Sequence, residues 1–196
     1  TAGVYAEKQA VLAGPGGPLL LANSAWTETA ARALAPEGTA VARIDLAVPA
    51  GVFRPQARAV LRRDLGLPQD EILVMFAAVI ADAPGKGTAE LAAILRRAAR
   101  PGLRFVAVGR LDDPASLGIP NLIATGPIAD EAVLAAWYGA CDIHITASRQ
   151  ETFGQTPVEA GLCGTPTVAY RATGLATAII DGISGRLVPP EPGALE

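Results

Sequence analysis

Several things are scarce in this chain of 196 residues. It has two cysteines, one histidine and one methionine, and its aromatic content is 5%. Cys141 and Cys163 fall in apolar stretches and lack metal-ligand spacing. They read as buried, reduced thiols of a cytosolic protein, which excludes a disulfide scaffold. The single histidine, His144, alternates into a buried strand and reads as structural. There is no basic excess: 16 Lys and Arg stand against 19 Asp and Glu, a net charge of −3. No basic stripe fits nucleic acid and no polybasic run fits a membrane surface. The apolar runs are strand-sized, far short of the roughly 20 residues that cross a bilayer. No signal-peptide pattern opens the chain. The expected location is the cytoplasm, with the full-length protein free there or peripheral to the inner face of a membrane.

Hydrophobic residues are plentiful, at 51%, enough for a sizeable core. The length suits one long domain, or one domain with part of another. Apolar runs of five to eight residues alternate with segments of helical spacing. The spacing predicts strands at 19–23, 41–46, 72–79, 103–109, 121–125, 142–147, 166–170 and 185–189. It predicts helices at 24–34, 56–66, 88–100, 130–140 and 157–163. Runs without alternation suit strands buried on both faces. The strand–helix alternation predicts an α/β fold, a doubly wound parallel sheet of Rossmann-like type. "GPGGP" at 14–18 is a loop and no dinucleotide fingerprint, because its glycines precede a strand.

Two prolines and a glycine in "LAVPAGVFRPQ" (46–56) mark a linker. Too few elements precede it to make an independent domain, and another helix starts at "EPGALE". The expected organisation is a fragment: residues 1–50 as the remnant of one domain with its linker, and residues 51–196 as most of a second.

In a parallel α/β sheet, ligands collect at the carboxyl ends of the strands. Three loops there carry suitable chemistry. "IADAPGKG" places Lys86 between two glycines, a point charge for phosphate; read alone, it is a solvated turn. "ATGPI" (124–128) turns tightly at Gly126 and Pro127 and can present backbone groups to a base, or serve as a plain strand exit. "RQETFGQTPVEAGLCGTP" (149–166) carries two glutamates around a helix start. Thr156 as N-cap, Pro157 at N1 and Glu159 at N3 form an expected capping box, which explains Glu159 without any ligand. The same helix start is an anion site, with free N–H groups around Gly154, Gln155 and Thr156. Glu151 has no capping duty.

The pattern E-x-F-G-x-x-x-x-E-A-x-x-C-G-T-P-x-V-A resembles the signature of retaining glycosyltransferases of the GT-B fold, group 1 or family 4-like. "LANSAW" (21–26), "VFRP" (52–55), "GKG" (85–87), "VAVGR" (106–110), "GPIADEAVLAAWYGACD" (126–142), "ASRQETFG" (147–154) and "DGISGRLVPP" (181–190) follow the family's order. The resemblance implies a carboxy-terminal, donor-binding domain preceded by a piece of the amino-terminal acceptor domain. It implies a hexosyl transfer from a UDP-, GDP- or ADP-sugar to an acceptor hydroxyl, with retention, and with neither a cofactor nor a metal. It implies Glu151 on the donor sugar and Lys86 on the diphosphate, these two being the catalytic positions. Backbone N–H groups at Phe153, Gly154, Gln155 and Thr156 would assist Lys86. Glu159 would hold the ribose, and Gly126, Pro127 and Ile128 the base. The partners implied are the donor, a saccharide, lipid or small-molecule acceptor, and the amino-terminal domain of the same parent chain.

The sequence departs from that family in places. Ala81 and Gly85 stand where an arginine is common, Asp45, Ala47 and Pro49 depart in the linker, and Thr177 replaces a glutamate. The family's catalytic histidine belongs to the amino-terminal domain. Two other readings stay open: a degenerate sugar-nucleotide-binding module, favoured by the missing arginine, and a nucleotide-sugar epimerase, which leaves the spacing of the two glutamates unexplained.

Overall fold

The computed structural model describes residues 7, 9–12, 18–78, 86–191 and 193–195. Residues 79–85, with Ala81 and Gly85, lie outside the described residues, as does most of the 14–18 loop. The chain forms two compact units, Thr1–Ala47 and Val48–Glu196.

The first unit carries β1 (Leu20–Ala22), α1 (Ala25–Leu34) and β2 (Val41–Arg43), with the two strands parallel and Leu20 opposite Val41. A capping box starts α1: the Ser24 hydroxyl accepts from the Thr27 N–H, and the Thr27 hydroxyl accepts from the Ser24 N–H.

The second unit begins its regular structure with α2 (Arg58–Asp64). There follow β3 (Ile72–Ala78), α3 (Thr88–Ala98), β4 (Leu103–Gly109), a 3-10 turn (Pro114–Leu117), β5 (Leu122–Ala124) and α4 (Glu131–Ala140). The chain then runs through β6 (Ile143–Thr146), α5 (Gln155–Leu162), β7 (Thr167–Tyr170), α6 (Leu175–Ala178) and β8 (Gly185–Val188). The six strands of this unit pair in parallel in the order β5-β4-β3-β6-β7-β8. The expected Rossmann-like α/β sheet is what forms. The eight expected strands are all present, most of them shorter at their ends.

The apolar runs owe their continuity to burial on both faces. In β3, Val74 and Phe76 join one core with Leu91, Ile94 and Leu95 of α3. Their neighbours Leu73 and Met75 join the opposite core with Leu61 of α2, Tyr138 of α4 and Ala160 of α5. In β4, Phe105 and Ala107 face the first core and Val106 and Val108 the second. The two-residue period of a strand sends successive side chains to opposite faces, and both faces are covered by helix. Phe53, in the linker-like "VFRP", is 2% exposed and packs edge-on to Tyr138.

At the amino ends of β3 and β6, buried Arg62 donates to the carbonyls of Ala140, Gln69 and Glu71 and to the Asp142 carboxylate. Asp142 also accepts the Leu73 N–H and pairs with Arg58. Every donor of this guanidinium that faces the interior is engaged, so the charge ties α2 to the sheet at the end away from the loops of interest. Among the described residues, no helix is long and apolar enough to cross a membrane.

The strand order fixes where a ligand can sit. The chain moves outward from β3 to β4 and β5, then returns to lay β6 on the other side of β3. β3 and β6 therefore lead into opposite halves of the sheet, and the crevice at their carboxyl ends is the switch point of an open α/β sheet.

Candidate functional site

Lys86 reaches the crevice from the loop after β3, and Glu151 from the loop after β6. Lys86 Nζ lies 2.5 Å from Glu151 Oε1, so the two expected charges are brought together as an ion pair. Gly87 makes this possible. Its φ is +69°, and a Cβ there would lie 2.3 Å from the carbonyl oxygen of Ala147 at the end of β6. The glycine beside Lys86 thus lets one loop touch the next strand's exit.

The Glu151 loop is braced from three sides. Glu151 N–H donates to the Thr173 hydroxyl, and Glu151 C=O accepts from Gly174 N–H, so the loop after β7 holds its backbone. Arg149 donates to both oxygens of Glu90 in the first turn of α3 and to the carbonyl of Pro190. Its guanidinium also lies 4.5 Å from the ring centre of Tyr170, whose hydroxyl bonds Glu90. One arginine therefore links the loops after β6 and β8 to the helix that follows Lys86.

The start of α5 corrects the expected capping box. Gly154 is the N-cap, in the left-handed region at φ +94°, and no side chain caps the helix. Thr156 is inside the first turn, Pro157 is at N3, and Glu159 lies two residues beyond. Glycine takes the left-handed turn without steric cost, so the chain enters the helix earlier than Thr-Pro suggests. Proline is harmless at N3 because that N–H would have no intrahelical partner anyway. The Gln155 and Thr156 N–H groups are likewise free of intrahelical acceptors and open the helix toward the crevice.

Glu159 does not reach back to the cap. It is 6% exposed, and its Oε2 accepts the Tyr138 hydroxyl at 2.9 Å. Burial pushes this carboxyl above its ordinary value; bonds from Tyr138 and Gln155 oppose the rise and the charge of Glu131 adds to it. A carboxyl raised in the fold contributes stability fully below its unfolded value and loses that contribution as pH rises through the folded value. Above the raised value the ionised side chain therefore weighs against folding. Glu159→Gln keeps an acceptor for Tyr138 and removes the charge. It is expected to raise the melting temperature at pH 7 by about 2–4 °C, the shift that ~1 kcal/mol gives a chain of this size. The gain should shrink as pH falls through the raised value toward the ordinary carboxylate range. Melts across that range check this, and a variant less stable than the parent at pH 7 contradicts it.

Two adjoining cavities occupy the crevice. One, of about 230 Å³, is lined by Lys86, Thr88, Glu151, Gly154, Gln155 and Thr156 among others. The other, of about 360 Å³, is lined by Arg110, Pro127, Ile128, Tyr138, Gln155, Thr156 and Glu159 among others. Gln155 and Thr156 border both, so the helix start divides a charged lobe from a more apolar one. Eight of the ten expected residues and backbone positions line these lobes. Phe153 and Gly126 line neither: Gly126 instead accepts the Gly109 N–H through its carbonyl, shaping the turn that presents Pro127 and Ile128. Tyr138 was not expected at the site. Arg110 lines the Glu159 lobe and not the Lys86 lobe, and it pairs with Asp112.

The three remaining ionisable groups of interest are inert by burial. His144 is fully buried; its Nδ1 lies 3.1 Å from the Thr167 hydroxyl, and burial lowers its pKa to about 4. Cys141 and Cys163 are free, buried thiols, pushed by burial up to about 12 and about 11.

The family model for "Glycosyl transferases group 1" matches residues 71–196, which include both lobes. The chain belongs to the group 1 glycosyltransferases. It is 34% identical over 187 residues to the D-inositol 3-phosphate glycosyltransferase of Pseudarthrobacter chlorophenolicus, covering 88% of this chain and 44% of that protein. It is 36% identical over 194 residues to the protein of the same name from Thermobifida fusca, covering 86% and 43%. The chain thus spans less than half the length of these curated relatives. Among solved structures, sucrose-phosphate synthase from Thermosynechococcus elongatus superposes with a TM-score of 0.83 and 25% identity, covering all of this chain and 51% of that one. Anabaena HepE, solved in complex with UDP, superposes with a TM-score of 0.73 and 26% identity, covering 90% and 51%. The sheet of this group 1 glycosyltransferase unit is therefore the Rossmann-like sheet of GT-B enzymes.

Proposed function

We propose that residues 51–196 form the donor-binding domain of a retaining glycosyltransferase, and that residues 1–50 belong to its acceptor domain and linker. The observation that carries this reading is the pair of lobes meeting at the start of α5, with Lys86 and Glu151 in one and Glu159 in the other. The diphosphate of a nucleotide sugar would lie at Lys86 and the free N–H groups of Gln155 and Thr156. The sugar would be held by Glu151, the ribose by Glu159, and the base by the Pro127–Ile128 side of the apolar lobe. HepE, a structural neighbour solved with UDP, supports a nucleotide-sugar donor. In the reaction, the bond from the anomeric carbon to the diphosphate oxygen breaks. A bond to the acceptor oxygen forms on the same face, and the hydroxyl proton is released. The domain's part is to stabilise the departing diphosphate with a fixed cation and fixed N–H dipoles, which need no reorganisation as charge develops.

Calorimetric titration of the chain with UDP, GDP and ADP tests the reading. At least one is expected to bind with a dissociation constant below about 1 mM, the weak affinity that half a cleft supports. No heat of binding from any of them at millimolar concentration would overturn it.

A further inference from the structure

Tyr138 is a large polar side chain at the site to which the sequence patterns assign no role, and its geometry is closely constrained. It is 1% exposed. Its ring is held edge-on by Phe53 at 6.2 Å and by His144 at 5.9 Å. Its carbonyl accepts the Thr165 hydroxyl at 2.7 Å and the Cys141 N–H, so the last turn of α4 is tied down as well. A phenol so clamped has one place for its proton, and that place is Glu159 Oε2. Both residues line the same lobe.

We propose that Tyr138 is a positioning residue for nucleotide binding: its hydroxyl orients the Glu159 carboxylate so that its remaining lone pairs accept the ribose hydroxyls. This rests on the reading that Glu159 meets a ribose. A carboxylate has about four lone-pair sites, so one bond from tyrosine leaves capacity for a diol. A protonated carboxyl would offer fewer acceptors and one misdirected donor. The groups facing Glu159 decide which form persists. Glu131 at the start of α4 opposes ionisation, as does burial, while Tyr138 and Gln155 favour it. Cys163 lies close and stays a neutral thiol. His144, beyond the tyrosine ring, is neutral at pH 7 and supplies no cation. The tyrosine hydroxyl is thus the buried donor that offsets the apolar setting.

The test is calorimetry with UDP, GDP and ADP and their 2′-deoxy forms, on the parent chain, Tyr138→Phe, Glu159→Gln and the double variant. Tyr138→Phe keeps the ring and its packing. It is expected to weaken binding of the ribonucleotide about ten-fold, the effect of one hydrogen bond to a charged group. Binding of the 2′-deoxy form should fall by less, because it offers Glu159 one hydroxyl instead of two. The double variant should bind no more weakly than Glu159→Gln alone. As pH is lowered, Tyr138→Phe should lose its preference for ribose at a higher pH than the parent does, since its carboxyl protonates sooner. Equal losses for ribose and deoxyribose would make Tyr138 merely structural and overturn the proposal. A parent that prefers ribose and a Tyr138→Phe variant that prefers it equally would do the same. A parent indifferent to the 2′-hydroxyl would instead overturn the ribose role of Glu159, and this proposal with it. If Tyr138→Phe does not fold, the double variant, which also removes the buried charge, decides on the same comparison with Glu159→Gln.

Discussion

Lys86→Ala is expected to weaken nucleoside diphosphate binding by roughly 10–100-fold, the worth of a charge-assisted bond to phosphate. The reason lies in the ion pair that Lys86 makes. Lys86 Nζ stands 2.5 Å from Glu151 Oε1, and the Glu151 side chain is 22% exposed. The ammonium thus neutralises a carboxylate beside which, on the proposed reading, the diphosphate settles. Removing the lysine takes away the attraction and also leaves Glu151 as an unbalanced like charge. Glu151→Gln should act the other way on free diphosphate. It releases Lys86 and removes the repulsion, so UDP, GDP or ADP should bind as well as before or more tightly. The nucleotide sugar should bind more weakly to Glu151→Gln, because its hydroxyls lose a charged acceptor. In the double variant, part of the Lys86→Ala loss should be recovered for the free diphosphate, a non-additivity that residues in direct contact show. Calorimetry on the four proteins reads all of this. Lys86→Ala binding like the parent would mean that the diphosphate is not seated at Lys86.

The coupling also explains why sequence reasoning could name both residues and still miss their relation. Lys86 and Glu151 stand on loops from different strands, and their contact depends on β6 lying beside β3. Strand existence was legible, because burial on both faces writes an uninterrupted apolar run for each of β3, β4, β6 and β7. Strand order was not, because parallel neighbours leave no local mark. The family was legible for a different reason: the glutamates, the helix start and the Cys-Gly-Thr-Pro turn recur in a fixed spacing, and the match over residues 71–196 bears that reading out.

The misread start of α5 has a specific cause. Thr-Pro-Val-Glu carries the composition of a capping box, and composition does not say which residue takes a left-handed φ. Gly154 does, and the helix starts at Gln155. The box that does form, at Ser24 and Thr27, has threonine where the usual pattern has glutamate or glutamine. The partner of Glu159 was hidden in another way. Tyr138 sits 21 residues earlier on an alanine-rich helix, where it reads as one more buried aromatic. The 3-10 turn at Pro114–Leu117 and the short α6 went unseen because neither is long enough to establish a period.

Gly87→Ala is expected to do more harm than Lys86→Ala, although alanine is the smallest possible change. Two penalties meet at this position. The first is the left-handed backbone, φ +69°, which disfavours any Cβ by about 1–2 kcal/mol. The second is contact: the new Cβ would stand 2.3 Å from Ala147 O and 3.0 Å from Ala147 C, backbone atoms that no rotamer change can move. The loop would have to lift from the exit of β6, carrying Lys86 away from Glu151 and from the helix start. Gly66 separates the two penalties. Its φ is +66°, and nothing lies within 4 Å of a Cβ built there. Gly66→Ala should therefore cost the backbone term alone, a fall of roughly 2–8 °C in melting temperature for ~1–2 kcal/mol, with diphosphate affinity unchanged. Gly87→Ala should melt lower still and bind diphosphate at least as weakly as Lys86→Ala, because both the cation and the helix start lose their register. Thermal melts and UDP, GDP or ADP titrations of the two alanine variants make the comparison. Equal melting temperatures with unaltered affinity would show that the approach to Ala147 is not what holds Lys86 in place.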